Sequence, residues 1–263
     1  MKRCFFILMI YLLINRCFAI DLTRPVGGRA AAMGRSSVCE QGIWALQNNP
    51  AGLAYLKGWG FGLYYENQWT LKETAFKSAG VSKSFDGIGC IGLSVSQFGG
   101  SNHNENKFGI AYARDFGPYL QMGLQIDYLL IHWGESYPNR GSPGIELGIQ
   151  SQVTEKLRLG AYLFNPWPIV MRFGLAYQFT EDFIAQCELE KNSEKAGMAI
   201  RCGFEYTIFS RFSLRAGAQC NPNLLTFGVG YEIKYIHVDV SAQWHQVLGA
   251  SVQIGMTGKI KDR

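Results

Sequence analysis

The chain has 263 residues and a formal net charge of +5; 31 residues are glycine, 14% are aromatic and only 17% are charged. Abundant glycine and aromatic residues, with fewer charges than the roughly 25% of soluble domains, exclude a coiled coil, a disordered tail and a small disulfide-bonded scaffold. After the N-terminus, no apolar run approaches the ~20 residues of a membrane-spanning helix. Two classes remain, a soluble all-β domain and a membrane β-barrel.

Residues 1–19 have the pattern of a secretory signal peptide. Lys2 and Arg3 precede a short apolar run, and the small residues Cys17 and Ala19 fit a cleavage site after Ala19. The alternative, a membrane anchor, is disfavoured because the apolar run is too short. Cleavage would remove three basic residues and no acidic one, which lowers the net charge from +5 to +2. Neither that charge nor any basic stripe indicates binding to nucleic acid.

Residues 20–57 do not alternate between apolar and polar positions, so the segment is not predicted to form strands. It contains small residues around Ala30, which allow close packing of the backbone. Asn49 can act as an N-cap with Pro50 at the first helical position, which predicts a short helix there. A compact segment of this kind, placed before a barrel, is expected to fold into the lumen as a plug.

From residue 58 onward the sequence repeats one pattern, in which about ten residues alternate and a turn follows. Successive side chains of a strand point to opposite faces, so each segment has an apolar face and a small or polar face. About fourteen strands are predicted, at residues 58–68, 72–84, 88–98, 107–114, 119–133, 144–151, 157–164, 169–179, 183–190, 196–208, 212–220, 224–234, 237–245 and 249–258. The even number, and lengths near the ~9–11 residues of a tilted membrane strand, favour a closed antiparallel transmembrane β-barrel over residues 58–263.

The two faces of the predicted strands distinguish a membrane barrel from a soluble sandwich. The apolar face carries large aliphatic residues flanked by aromatic ones such as Trp59 and Trp244, which resembles a lipid-facing band with aromatic girdles. The opposite face is mostly Gly, Ala, Ser and Gln, with charges of both signs that can pair across a closed lumen. The predicted polar lumen residues are Asp127, Glu146, Arg158, Arg172, Glu188, Arg201, Glu205, Arg215 and Glu232.

The connections between the predicted strands fall into two alternating sets. One set is short, as at residues 180–182, and the other includes longer polar stretches at residues 99–106 and 134–143. With a periplasmic N-terminus, the short set lies on the periplasmic side and the long set outside, as in bacterial barrels.

No pattern in the sequence indicates catalysis, a bound cofactor or a metal site. The five cysteines after residue 19 are odd in number and irregularly spaced, which argues against a disulfide framework and a zinc site. His237, Asp239 and Ser241 share one face of a strand, but residues two apart are separated by ~6.6–7 Å, too far for a hydrogen-bonded relay. They are predicted to be polar lumen residues of a protein that is not an enzyme.

Two stretches of the N-terminal segment, residues 28–34 and 49–54, resemble the N-terminal signature of the FadL-like outer-membrane barrels. Within that superfamily the match is most like the PorV/PorQ group of the type IX secretion system. The motif residues are Gly28, Arg29, Met33, Gly34, Asn49, Pro50 and Gly52. The resemblance implies a fourteen-stranded barrel with this segment inside, in the outer membrane of a Gram-negative bacterium. The long outer loops of the fatty acid transporters are missing.

The function expected from this resemblance is that of an accessory barrel in protein secretion or surface attachment. Its partners would be outer-membrane lipid and secretion-system proteins. The alternative is a FadL-like transporter of hydrophobic small molecules across the outer membrane. The interior distinguishes the two functions, because a transporter needs an apolar pocket near the plug and a path that leads from it.

Overall fold

The computed structural model describes residues 21–134, 138–165 and 168–260. The signal peptide predicted for residues 1–19 lies outside these ranges. Fourteen antiparallel strands form a closed barrel in which each strand pairs with its neighbours in sequence and the first strand pairs with the last. The predicted all-β, fourteen-stranded barrel is therefore confirmed.

The strands are β1 (Trp59–Asn67), β2 (Ala75–Phe85), β3 (Gly89–Gly99), β4 (Asn104–Asp115), β5 (Leu120–His132), β6 (Arg140–Gln152), β7 (Leu157–Asn165), β8 (Val170–Thr180), β9 (Phe183–Asn192), β10 (Ala199–Ile208), β11 (Phe212–Cys220), β12 (Leu224–Ile233), β13 (Ile236–His245) and β14 (Gly249–Ile260). Two short α-helices, α1 (Gly28–Ala32) and α2 (Ala45–Asn48), precede the barrel, together with 3-10 helices at Asp21–Thr23 and Pro50–Tyr55. Two further 3-10 turns, Gln68–Thr70 and Lys72–Thr74, connect β1 to β2. None of the helices in the described ranges is long and apolar enough to cross a membrane.

The barrel has two different ends. The end at which β1 begins is termed the periplasmic end; its connections, such as the one between β8 and β9, are on average shorter than those at the opposite end, where some are equally short. At the opposite, outer end, β4 and β6 begin at Asn104 and Arg140 rather than at the predicted residues 107 and 144. Asn104 pairs with His132, and Arg140 pairs with Ile131. β4 and β6 therefore begin before the residues at which apolar and polar positions start to alternate. The two outer connections that precede them are shorter than predicted.

The outward face of the barrel is apolar, as the alternation predicts. On β5, Leu124 and Ile126 are 43% and 58% exposed, whereas Gln125 between them is fully buried in the lumen. Trp59 and Trp244, near opposite ends of their strands, also point outward. Such a face is suited to contact with lipid hydrocarbon.

The N-terminal segment, residues 21–57, lies inside the barrel and follows the inner wall. Helix α1 packs on β11–β14, and the 3-10 helix Pro50–Tyr55 packs on β3–β6. The turn Asp21–Thr23 lies against β3 and β4. The buried core is therefore formed between this segment and the wall.

The segment approaches the wall closely because the wall positions that face it are glycine. At each of them, an added Cβ atom would lie between 2.0 and 3.0 Å from an atom of the segment. These residues, here termed the glycine belt, are Gly62, Gly80, Gly92, Gly123, Gly148, Gly160, Gly174, Gly203, Gly217, Gly228 and Gly255.

Candidate functional site

The second motif stretch fixes the N-terminal segment to the wall at β6 and β7. Asn49 caps the 3-10 helix Pro50–Tyr55, since its side-chain oxygen accepts a hydrogen bond of 3.2 Å from the Ala51 amide. Its side-chain nitrogen donates to the Val38 carbonyl at 2.7 Å and to two carbonyls of the wall at 3.2 and 3.3 Å. A Cβ at Gly52 would lie 2.2 Å from a carbonyl oxygen of the same segment. The predicted cap at Asn49 is present, and it also ties the segment to the barrel.

Asn48, which the sequence analysis did not single out, joins three parts of the segment. Its side-chain oxygen accepts a hydrogen bond from the Val26 amide at 2.8 Å. Its nitrogen donates to the Val26 carbonyl at 2.7 Å and to the Glu40 carboxylate at 2.6 Å. Glu40 is also buried, and burial raises the pKa of Glu40 to about 7. A satisfied buried network of this kind specifies a single arrangement of the chain. Its trace in the sequence is the pair of adjacent asparagines, Asn48 and Asn49.

The first motif stretch, residues 28–34, forms α1 and the turn that follows it. A Cβ at Gly28 would lie 2.4 Å from the side chain of Asp239 on β13. Gly34 has a φ of +66°, which favours glycine. The Gly34 amide donates at 2.8 Å to the Thr226 hydroxyl, which donates in turn to a carbonyl of α1. Met33 is fully buried, so the glycines and the methionine of the motif all serve close packing on the wall.

Arg29, the charged member of the motif, connects the segment to a chain of charges on the wall. Its guanidinium donates two hydrogen bonds of 3.0 Å to Glu205 on β10. Arg215 contacts both Glu205 and Asp239, and His237 contacts Asp239 at 2.9 Å. Because charge-assisted and bidentate contacts are strong and directional, they fix α1 relative to β10–β13.

The hydrogen bond between His237 and Asp239 corrects an expectation drawn from strand spacing. Side chains of a strand lean along its direction, so an imidazole and a carboxylate two residues apart can meet although their Cα atoms are distant. Ser241 takes no part and donates to Gln253 at 3.1 Å, so the three residues form no relay. Within the described residues, no three His, Cys, Asp or Glu side chains are grouped to hold a metal ion.

A second group of lumen charges lies on β8, β9 and β10. Arg172 contacts Glu190 at 2.7 Å, and Arg201 contacts Glu188 at 2.7 Å and Glu190 at 2.8 Å. Glu188 also accepts hydrogen bonds of 2.7 Å from the backbone amides of residues 37 and 38. Glu190 was not predicted, although the alternation places it on the same face as Glu188. The group therefore anchors the middle of the segment.

A third group lies on β4, β5 and β6. Lys107 contacts Glu146 at 2.8 Å, and Asp127 accepts a hydrogen bond of 2.8 Å from Gln125. All four side chains are at most 2% exposed. Lys107 was not predicted, although the alternation places it on the same face as Gly109 and Ala111. Pairing of opposite charges, as proposed for the lumen, compensates Lys107 and Glu146, whereas Asp127 has an amide and not a cation as its hydrogen-bond partner.

Two of the predicted lumen charges lie nearer the periplasmic end. Arg158 donates at 3.1 Å to the carbonyl of Cys39. Glu232 is exposed and lines a cavity of about 730 Å³ between the N-terminal segment and β10–β14. Other charged residues in its lining include Arg211 and Lys259. The lining of this periplasmic cavity therefore combines charged side chains with apolar ones such as Ile43 and Trp44.

The outer half of the lumen contains large apolar side chains that the alternation did not predict, beside buried charged ones such as Glu66, Lys107 and Glu146. Lumen-facing wall positions there carry large apolar side chains, and the N-terminal segment adds two more. The outer apolar cluster, as we term it, contains the buried residues Leu22, Val26, Phe76, Leu129, Ile131, Phe164 and Val170. The expectation of a small or polar inner face is therefore wrong at these positions. These apolar lumen positions leave a trace in the sequence: residues 129–131 are apolar at successive positions. Such a run is typical of a strand that has apolar surroundings on both faces.

The first described residues cross the lumen at the level of the outer apolar cluster. The Thr23 carbonyl accepts a hydrogen bond from Arg172 on β8. The Arg24 guanidinium lies over two rings of the wall, 5.1 Å from the centroid of Phe76 and 4.7 Å from that of Phe98. These are cation–π distances, and they hold this part of the segment across the barrel.

A crevice of about 490 Å³ lies in the lipid-facing wall at β1–β3. Its lining includes Ala79, a small residue that lies between Leu63 and Val95 on the neighbouring strands. Tyr64 and Ser78, which are adjacent in the chain to outward-facing lining residues, also border it. The crevice is therefore a hollow in the outward face of the wall.

Comparison with protein-family models gives no match to the chain, and comparison with curated proteins gives none either. Solved structures do match it. The toluene transporter TbuX of Ralstonia pickettii is 14% identical, over 92% of this chain and 100% of its own, with a TM-score of 0.70. The toluene transporter TodX of P. putida is 13% identical over 92% and 100%, with a TM-score of 0.69.

A FadL homologue of Pseudomonas aeruginosa is 11% identical, over 92% of this chain and 99% of its own, with a TM-score of 0.68. Identities this low establish a likeness of fold. The chain therefore shares the fold of the FadL-family barrels of the Gram-negative outer membrane.

Proposed function

We propose that the protein is a non-enzymatic transporter of hydrophobic small molecules across the outer membrane. The observation that supports this most is the outer apolar cluster. Leu129, Phe164 and Val170 face the lumen and are at most 1% exposed, whereas the lumen of a water-filled barrel is polar. A site lined mainly by apolar side chains, with polar groups at its edge, is suited to a hydrophobic ligand; here the buried Glu66, Lys107 and Glu146 stand opposite residues of the cluster. The toluene transporters with the same fold support the same class of ligand.

In the proposed mechanism, the incoming molecule takes the place of Leu22. This side chain belongs to the N-terminal segment and not to the wall, so it can leave while the barrel stays closed. Burial of a leucine side chain is worth about 1.5–3 kcal/mol, and a hydrocarbon of similar size that fills the same space offsets that loss. The residues before Val26 would swing away with Leu22. Val26 itself stays in place, because Asn48 forms hydrogen bonds with both its amide and its carbonyl.

Two exits differ in chemistry. The periplasmic cavity has charged residues such as Arg211 and Glu232 beside apolar ones such as Trp44, so a hydrophobic molecule that enters it must displace water from charged groups. The crevice at Ala79 is mainly apolar and opens towards lipid. The proposed route therefore runs sideways, from the outer apolar cluster through the wall at β1–β3. Because β2 is paired continuously with β1 and β3, passage requires these strands to part.

The test measures saturable uptake of an aromatic hydrocarbon by cells that express the protein. Phe164→Ser introduces a hydroxyl into the outer apolar cluster and is expected to abolish saturable uptake. Phe173→Ser is the matched control, because Phe173 lies on the adjacent strand but points outward and is 57% exposed. Heat-modifiable mobility in gels shows that both barrels assemble. Undiminished saturable uptake by assembled Phe164→Ser would contradict the proposal.

A second pair of variants separates binding from release. Leu22→Ala leaves more room in the cluster and is expected to lower the hydrocarbon concentration that gives half-maximal uptake. Ala79→Phe fills the crevice and is expected to reduce maximal uptake without changing binding, whereas Val81→Phe, two residues along the same face, leaves uptake unchanged. Equal uptake by all of these variants would refute the sideways route.

A second candidate function is an accessory role in protein secretion or surface attachment, as the PorV/PorQ resemblance suggests. The low outer rim favours it, because the connections at residues 193–198, 221–223 and 246–248 are short. Such a rim offers a surface to a protein rather than a capture groove to a small molecule. Recovery of a stoichiometric complex with a secretion-system protein, together with absence of saturable hydrocarbon uptake, would favour this candidate over the transporter.

A further inference from the structure

Three cysteines lie close together on the lipid-facing side of the wall. Cys187 on β9 and Cys202 on β10 are exposed and stand directly opposite each other. Their sulfur atoms are 2.8 Å apart. Cys220 on β11 is exposed too, but it stands opposite Ile200 rather than opposite a cysteine.

The backbone at this pair has the geometry that a cross-strand disulfide requires. The Thr207 amide donates to the Asp182 carbonyl at 2.8 Å, which makes these opposed residues a hydrogen-bonded pair. Hydrogen-bonded and non-hydrogen-bonded pairs alternate along an antiparallel ladder. Cys202 and Cys187 lie an odd number of positions further along, so they form a non-hydrogen-bonded pair. The Cα atoms of such pairs are about 4.5 Å apart, within the ~4.4–6.8 Å range of disulfides.

We propose that Cys187 and Cys202 form a disulfide that links β9 to β10 on the outside of the barrel. The periplasm, through which an outer-membrane protein passes, is an oxidising compartment. Both thiols face lipid in the assembled barrel, so the bond forms once β9 and β10 have paired and while their hairpin is still open to the periplasm.

The oxidant is a periplasmic dithiol–disulfide oxidoreductase in its disulfide form. One cysteine thiolate attacks the disulfide of the oxidant and forms a mixed disulfide. The thiolate of the other cysteine then attacks the sulfur of the first, which forms the Cys187–Cys202 bond and releases the oxidant as a dithiol. The two cysteines are oxidised, the oxidant is reduced, and the two protons that leave the thiols are taken up by the released dithiol.

The position of the pair also gives the cross-link a structural role. On the inner side of the same hairpin lies Gly203 of the glycine belt, whose Cβ would be 2.4 Å from the Met33 carbonyl oxygen. A Cβ at Gly34 would be 2.4 Å from the carbonyl oxygen of Cys202. Glycine in a strand interior weakens the strand. The disulfide therefore reinforces β10 from outside at the place where the N-terminal segment packs on it.

The test maps thiols in the full chain isolated from outer membranes. Free thiols are trapped with N-ethylmaleimide at low pH before extraction, and the protein is digested without reductant for mass spectrometry. We expect a linked peptide that contains Cys187 and Cys202, with Cys220 alkylated. Alkylation of both Cys187 and Cys202, or a link between Cys202 and Cys220, would overturn the proposal.

A stability measurement with matched variants gives an independent readout. The temperature at which the barrel loses its compact gel mobility is expected to fall on reduction in the wild type and in Cys220→Ser, but not in Cys202→Ser. A wild-type midpoint that does not respond to reductant would contradict the proposal. If Cys202→Ser does not assemble, the response of the wild type and of Cys220→Ser, together with the peptide map, still decides the question.

Discussion

Gly217 on β11 is the position at which the close fit between the N-terminal segment and the wall is tested most simply. In Gly217→Ala, the added Cβ would lie 2.2 Å from the Gly34 amide nitrogen and 2.5 Å from the Met33 carbonyl carbon. Both are backbone atoms, so neither can rotate away. The segment must withdraw by about 1 Å to restore an ordinary contact of about 3.5 Å.

Two costs follow from that movement. Overpacking by one methyl group costs about 1–3 kcal/mol. The buried hydrogen bond of 2.8 Å between the Gly34 amide and Thr226 is stretched, and a buried group left unsatisfied costs about 1–3 kcal/mol. The smaller conformational freedom of alanine in the unfolded chain returns only about 0.4–1 kcal/mol. The net destabilisation is thus about 1–6 kcal/mol, which corresponds to a fall in the thermal midpoint of roughly 2–24 °C.

The assay is the temperature at which the purified barrel loses its compact mobility in gels. Gly100→Ala is the control, because the nearest atom to its added Cβ is 3.6 Å away, and its midpoint is expected to equal that of the wild type. A Gly217→Ala midpoint equal to the wild type would refute the tight docking of the segment on the glycine belt.

Three further substitutions test other parts of the account. Leu124→Arg is expected to lower the yield of heat-modifiable barrel, with Leu124→Ile as the control, because arginine facing lipid at mid-strand costs about 2–4 kcal/mol; equal yields would contradict the assignment of this face. Asn48→Ala removes both hydrogen bonds to Val26. It is expected to expose the N-terminal residues to added protease while the barrel stays intact. Unchanged protection would show that these hydrogen bonds are not needed to hold the segment. Burial raises the pKa of Glu40 from about 4.5 to about 7. As the pH rises from 4.5 to 7, the carboxyl ionises in the unfolded chain before it ionises in the folded one, so the fold loses about 3 kcal/mol of stability. Wild-type thermal midpoints are expected to fall across that window, whereas Glu40→Gln midpoints change less; parallel curves would contradict the shift.

The barrel could be predicted from the sequence because strands in a two-faced wall carry a period of two. Once Leu124 is assigned to the lipid face, Gln125 must face the lumen, and the same rule places Arg172, Glu188 and Arg201 inside. These side chains then pair across neighbouring strands. The cap at Asn49 was also predictable, since it depends only on local chain chemistry.

The remaining features depend on where the N-terminal segment lies inside the barrel, and no local pattern encodes that. Asn48 is central because Val26 and Glu40 meet beside it, although both are distant in sequence. The glycines of the wall can be read from the sequence, but the sequence does not show why they are glycine. The reason is that the backbone of the N-terminal segment packs too closely on them to leave room for a side chain. The outer apolar cluster escaped prediction because Leu129 and Ile131 are apolar on the face that alternation assigns to polar residues.

The pair of cysteines illustrates the same limit. Spacing along the chain gives no framework, because five cysteines are irregularly distributed. Only the register of β9 on β10 places Cys187 opposite Cys202, and register depends on the turn and on the pairing of the whole hairpin.

The proposed transport depends on binding of hydrophobic small molecules in the outer apolar cluster. Photolabelling of the purified barrel with a diazirine-bearing aromatic hydrocarbon, followed by peptide mapping, tests it most directly. We predict that an excess of unlabelled hydrocarbon suppresses labelling at Phe76 and Phe164 in the lumen and leaves labelling at the outward-facing Phe173 unchanged. Labelling confined to outward-facing residues, or lumen labelling that the competitor does not displace, would contradict the account.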